Sequence, residues 1–313
     1  MPRAQLLINP GAWQTGAPAS EGEMRRQLGE AGYQLDIEQI ADSGNGAALA
    51  SAAVRAGYDL VIAGGGDGTI QQVAAGMIHS KVPLAILPLG TMNNIARSLC
   101  IPLDLKDALA VIAAGQQRRI DMGIANGTPF VEVVNVGAEA AFSPVGEAAR
   151  HHGFWSALHG MVAGLRLLFR LQRHGLTIEI DGKRHHVHAW EITICNAPLY
   201  GLHFAAAPDA RLDDGMLDVV ISRQTQRWRY LLNYWALMEG RRVPDVNVQR
   251  YPARQIRIYG RDRVPITVAG YTAGYTPLFV TVAPGALTVI APPAPDQPLS
   301  AEPPIAAILH SLG

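Results

Sequence analysis

The chain has 313 residues, 49% of them apolar and 17% charged, with a formal net charge of zero. This balance suits a folded protein of about two domains and excludes a disordered chain. It gives no global electrostatic drive toward nucleic acid, so no nucleic-acid partner is expected.

Met1-Pro2-Arg3 leads at once into a predicted strand at 4–9 with no secretory signal, and no apolar run is long enough for a membrane span. A cytoplasmic protein is the expectation. An amphipathic helix follows at 21–30, then a strand at 33–39, an Ala-rich helix at 46–56 stopped by Gly57, and a strand at 60–63. Another strand at 84–87 ends at Pro88, and helices are predicted at 93–99 and 106–114. Such alternation implies an α/β domain with a parallel sheet and helices on both faces, assigned to residues 1–122. Ligands of such sheets bind beyond the carboxyl ends of the strands, where Asn9 and Gly64–Thr69 fall.

Beyond residue 122 the pattern changes. Strands are predicted at 129–137, 176–181, 185–195, 216–221, 255–259, 265–269, 277–282 and 286–290, and Asp181-Gly182 is a hairpin signal. Residues 123–290 therefore read as a mostly antiparallel β-sandwich, interrupted by helices at about 153–173 and 225–240. Residues 291–313 form a Pro-rich tail whose last helix, at 305–312, is expected to dock back on the first domain.

The run Gly64-Gly65-Gly66-Asp67-Gly68-Thr69 joins an apolar strand to a helix in which Ile70, Val73, Ala74 and Met77 recur at helical spacing. Glycines let backbone approach a ligand closely, and free N–H groups with the helix dipole favour an anion. A carboxylate in an anion loop fits best if a cation joins it, so Asp67 points to Mg²⁺ with a nucleotide. The alternative is a tight turn with a solvent-facing Asp67. The pattern is neither Gly-x-Gly-x-x-Gly nor a P-loop. A second turn, Pro88-Leu89-Gly90-Thr91-Met92-Asn93-Asn94, again follows a strand and opens a helix. Thr91 and Asn93 either cap that helix or hold a nucleotide.

These two loops, with Pro208-Asp209-Ala210-Arg211-Leu212-Asp213-Asp214-Gly215 and the late Pro284-Gly285-Ala286-Leu287, resemble the diacylglycerol kinase catalytic family. The likeness is to its bacterial lipid-kinase branch, related to sphingosine and ceramide kinases, and it is collinear over nearly the whole chain. It implies an ATP-binding α/β domain, a β-sandwich domain, and phosphoryl transfer from ATP to a lipid hydroxyl with Mg²⁺. It implies nucleotide contacts at Asn9, Gly64, Gly65, Gly66, Asp67, Gly68, Thr69, Gly90, Thr91 and Asn93. Asp67 would act through the Mg-nucleotide and Asp214 would be a metal-associated carboxylate. The partner would be a diacylglycerol-like lipid at a membrane surface, making the protein cytoplasmic or peripherally bound, with a homodimer left open.

The chain departs from the family pattern in three places. It has Gln71-Gln72 where the family usually has Asn-Glu, and Asn93-Asn94 where it has Asn-Asp. The family's Asp-Gly-Glu falls on Ala269-Gly270-Tyr271, so Tyr271 stands where the family places its general base. A phenol with a pKa of about 10 is ionised to about one part in a thousand at neutral pH. Two rival readings follow: a catalytically impaired relative that binds nucleotide or lipid, and, more distantly, an enzyme like the NAD kinases.

Other features carry less. The stretch 154–169 places Phe154, Trp155, Leu158, Met161, Leu165 and Leu168 at helical spacing beside Arg166 and Arg170, which fits either a membrane surface or packing on the sandwich. His151-His152 and His185-His186-x-His188 read as solvated histidines. Cys100 and Cys195 read as reduced core residues.

Overall fold

The computed structural model describes residues 1–10, 21–41, 44–137, 172–200, 206–223 and 248–294. The helices expected at 225–240 and 305–312, all but the last two residues of that expected at 153–173, and His151-His152 lie outside these residues.

The first region is an α/β layer built on β1 (Arg3–Ile8), β2 (Gln34–Gln39), β3 (Leu60–Gly65) and β4 (Leu84–Pro88), paired in parallel in the order β2-β1-β3-β4. β3 and β4 are buried along their whole length, as expected of central strands covered on both faces. The helices are α1 (Glu21–Glu30), α2 (Gly46–Arg55), α3 (Asp67–Gly76), α4 (Asn94–Ser98) and α5 (Leu105–Ala114). The Asp104 side chain caps α5 by accepting from the N–H groups of Lys106 and Asp107, and Gly115 ends it in the left-handed region. Ile70, Val73, Ala74 and Met77 are fully buried, so the helical spacing read in the sequence is the core face of α3.

The second region is a sandwich. One layer is a six-stranded sheet in the order β12-β11-β10-β7-β14-β15. Its members are β7 (Val133–Gly137), β10 (Glu191–Cys195), β11 (Leu217–Ser222), β12 (Val248–Ala253), β14 (Pro265–Val268) and β15 (Tyr271–Tyr275), all antiparallel. The other layer continues the first sheet through β5 (Gln117–Ala125), β6 (Thr128–Phe130), β8 (His174–Ile180), β9 (Lys183–Ala189), β13 (Gln255–Gly260) and β16 (Leu278–Ile290). A core including Phe130, Val134, Ile178, Ile194, Val219, Ile258 and Val280 fills the space between the layers.

β16 joins the two regions. Its first residues pair with β13, Val289 pairs with Leu84 of β4, and β5 runs antiparallel beside it along most of its length. The expected division at 122/123 thus falls inside β5, and the end of the expected sandwich returns to the first core through Leu287, Val289 and Ile290. The two strands expected at 277–282 and 286–290 are one strand with a register shift between Ala283 and Leu287, beside Pro284-Gly285.

Two expected strands are each two. The run at 185–195 breaks at Trp190 between β9 and β10. The run at 129–137 breaks at Val131-Glu132 between β6 and β7, so one apolar stretch serves both layers. β5, β12 and β15 are strands that the sequence pattern did not reveal.

Candidate functional site

β3 extends into the glycine triad and α3 begins at Asp67, so Gly66 alone joins strand to helix, in extended backbone. Gly64, Gly65, Gly66 and Gly68 are not in the left-handed region. Their value lies in close approach. A Cβ on Gly65 would sit 2.5 Å from Thr69 Oγ1, and one on Gly90 would overlap the Cα of Gly66. The two glycine loops therefore meet backbone to backbone, aided by the Leu89 N–H, which donates to the Gly65 carbonyl at 3.0 Å. The Asn9 N–H donates to the Gly64 carbonyl at 3.0 Å. Asn9, the first loop and the second loop are thus gathered at adjacent strand ends, as the sequence pattern predicts. Thr69 is buried and Thr91 exposed.

Asp67 is only partly exposed. Its Oδ1 accepts from the Ile95 N–H at 2.9 Å. Burial pushes its pKa above the ordinary value, while N–H groups including those of Ile95, Asn94 and Asn93 pull it back. The first loop thereby holds the start of α4 in the second. Asn93 is left-handed (φ 53°), and its side chain shapes the loop: Oδ1 accepts from the Gly90 N–H at 2.9 Å, and Nδ2 donates to the Gly90 carbonyl at 2.7 Å. Its amide is bonded inside the loop rather than presented to a ligand.

Sequence reasoning missed Glu132. It sits in the break between β6 and β7 and is buried, and its Oε1 has no hydrogen-bond partner. Burial raises its pKa well above the usual carboxylate range, the Asp67 charge raises it further, and a hydrogen bond with the Asn94 side chain opposes this. A clasp fixes the segment. Gln71 of α3 donates to the Pro129 carbonyl at 2.8 Å and accepts from the Val131 N–H at 2.9 Å. Asn196 Nδ2 donates to the carbonyls of Val131 at 2.8 Å and Asp121 at 3.0 Å, and the Asn196 N–H donates to the Glu132 carbonyl at 2.8 Å. The available signal was one acidic residue inside the apolar run Phe130–Val136.

Tyr271 begins β15, and its hydroxyl lies 2.7 Å from where a Cβ on Gly68 would stand. The position matching the family's base therefore faces the first glycine loop. Ala269 (φ 48°) and Gly270 (φ 82°) form the two-residue turn between β14 and β15, where Val268 pairs with Tyr271. Two successive left-handed residues are the turn that Asp-Gly favours. An Asp at 269 thus has a conformational use, separate from any part in chemistry.

Asp214 lies in an acidic turn. Its Oδ1 accepts from the Met216 N–H at 3.0 Å, and burial, then the neighbouring Asp121 and Asp213, push its pKa up. Burial together with Asp214 and Asp209 drives Asp218 to about 6. Asp121, also missed in the sequence, accepts from the N–H groups of Gly215 and Gly285 at 2.6 Å each, tying this turn to β16. Among the described residues no three His, Cys, Asp or Glu side chains converge as a metal-ligand set. His186 and His188 are exposed on β9, with His186 Nδ1 3.0 Å from Thr177 Oγ1. Cys100 and Cys195 are free thiols.

No helix among the described residues is long and apolar enough to cross a membrane. A family model described as "Diacylglycerol kinase catalytic domain" matches residues 3–125, and one described as "YegS C-terminal NAD kinase beta sandwich-like domain" matches residues 132–291. Among curated relatives, a "Diacylglycerol kinase" of Bacillus subtilis (strain 168) is 26% identical over 284 residues, covering 88% of this chain and 92% of the relative. A "Probable lipid kinase YegS-like" of Chromohalobacter salexigens is 26% identical over 284 residues, covering 88% and 91%. A solved structure of a diacylglycerol kinase from Bacillus anthracis str. Sterne superposes with a TM-score of 0.71 at 20% identity, covering 93% of this chain and 97% of that one. With both of its regions matched in order, the chain belongs to the diacylglycerol kinase catalytic family.

Proposed function

We propose that this chain is an ATP-dependent kinase that phosphorylates a diacylglycerol-like lipid hydroxyl. The observation that carries the reading is the meeting of the two glycine loops at Gly66 and Gly90, opposite the Tyr271 hydroxyl at Gly68. Backbone without Cβ atoms, at the start of a ten-residue helix, suits a phosphate group. Asp67 and Glu132 suit the cation that accompanies phosphates. When bound, ATP with Mg²⁺ supplies the phosphoryl group and the neutralising charge. The chain's own part is to orient. Gly65, Gly66, Gly68 and Gly90 admit the phosphates, and Asp67 holds the second loop against the first. Tyr271, whose hydroxyl reaches toward Gly68, would face the acceptor hydroxyl. The acceptor would be met at a membrane surface, a reading supported by the apolar helical spacing of 154–169.

The test is incubation with labelled ATP, Mg²⁺ and diacylglycerol in mixed micelles, then separation of the lipids. Labelled phosphatidic acid is expected. No label in this or any other lipid, with nucleotide binding intact, favours the second reading, a nucleotide-binding relative without turnover. The observation behind that reading is the phenol of Tyr271 at the position of the base.

A further inference from the structure

We propose that Glu132 is the second carboxylate of the nucleotide–metal site, acting with Asp67 toward the divalent cation that accompanies the phosphates. This rests on the nucleotide reading above. The second glycine loop, from Pro88 to Arg97, contains no acidic residue, and the first contains only Asp67. One Asp67 oxygen is engaged by the Ile95 N–H. A Mg²⁺ ion bound with phosphates draws on one or two protein carboxylates. Glu132 comes from the sandwich side, near enough for its charge to interact with that of Asp67, and hydrogen-bonds the Asn94 side chain at the start of α4.

Three observations support the assignment. Glu132 is only 6% exposed, and its Oε1 has no partner, an arrangement in which the ionised form is costly unless a cation compensates it. Among the described residues neither Glu132 nor Asp67 pairs with a Lys, Arg or His, so the protein's own charges do not balance them. The backbone of Glu132 is anchored on both sides, by Gln71 through Val131 and by Asn196, which preorganises the carboxyl group. A hydrogen bond to Asn94 alone would not need an acid. Glutamine would accept the same bond without a buried charge.

The experiment is calorimetric titration of ADP into the full chain, with Mg²⁺ and with EDTA, for wild type, Glu132→Gln, and the exchange variant Asn94→Asp with Glu132→Gln. In wild type, Mg²⁺ is expected to tighten ADP binding. In Glu132→Gln that enhancement should fall about 10- to 100-fold, with ADP affinity in EDTA unchanged. The exchange variant keeps one acid and one amide in the pair and should recover the enhancement to within about tenfold of wild type. It also decides the matter if Glu132→Gln does not fold, since a folded exchange variant without the enhancement overturns the proposal. Full Mg²⁺ enhancement in Glu132→Gln overturns the role of Glu132 and leaves the nucleotide reading standing. A wild type that binds no ADP overturns both.

Discussion

The two glycine loops and the β14–β15 hairpin that faces them are built differently. In the loops, the backbones of Gly66 and Gly90 come into contact, the Asp67 side chain ties the first loop to the second, and Asn93 fixes the second loop's own turn. The hairpin lies at a sheet edge, where Ala269 occupies a left-handed position and the Tyr271 hydroxyl reaches toward Gly68. Gly65 and Gly90 tolerate little change, because a Cβ at either would overlap Thr69 or the Gly66 backbone. A hairpin tip keeps its turn geometry while its side chains change.

The largest effect expected of this asymmetry is in turnover. Ala269→Asp with Tyr271→Glu should raise lipid phosphorylation about 10²- to 10⁴-fold, equivalent to roughly 3–5 kcal/mol of barrier, with ADP affinity unchanged. An equal rate before and after the change would place the base elsewhere. Next, Gly90→Ala should push the two loops apart, destabilising the fold by about 1–3 kcal/mol in denaturant titration and weakening ADP binding. Unchanged ADP affinity in this variant would break the account of the loops. Ala269→Asp alone should stabilise by roughly 1 kcal/mol through relief of the left-handed alanine, without raising turnover.

The smallest effect concerns pH. Asp218, held at about 6 against 3.8 for the ordinary carboxyl, binds more proton in the folded than in the unfolded state between those values. Its contribution is therefore complete below 3.8 and is lost as pH rises through 6. Asp218→Asn should flatten that decline in melting temperature. Because the residue is partly exposed, the change should be modest.

Local signals made much of the fold legible. The helix at 21–30 has the predicted bounds, and α2 and α5 lie within a residue of theirs, because Gly57, Gly115 and Asp104 punctuate the chain. The Asp181-Gly182 hairpin forms with Ile180 opposite Lys183. β5 was hidden because Arg118, Arg119 and Asp121 interrupt its apolar pattern, although Asp121 is buried by bonds to two distant glycines. In the site, the glycine loops were readable because strand, loop and helix are contiguous. Glu132 was not, because it meets Asp67 and Asn94 only through the layering of two sheets. The only mark of the break at Val131-Glu132 is the acid itself, because Phe130 before it and Val133–Gly137 after it are all buried.

Hydrogen–deuterium exchange with and without ADP and Mg²⁺ tests the central claim, an intact nucleotide cradle in the two glycine loops, most directly. Slowed exchange is expected in peptides covering 64–77 and 88–98, with the effect much reduced in Asp67→Ala. No protection in those peptides at saturating ADP, or protection confined to the sandwich strands, would contradict it.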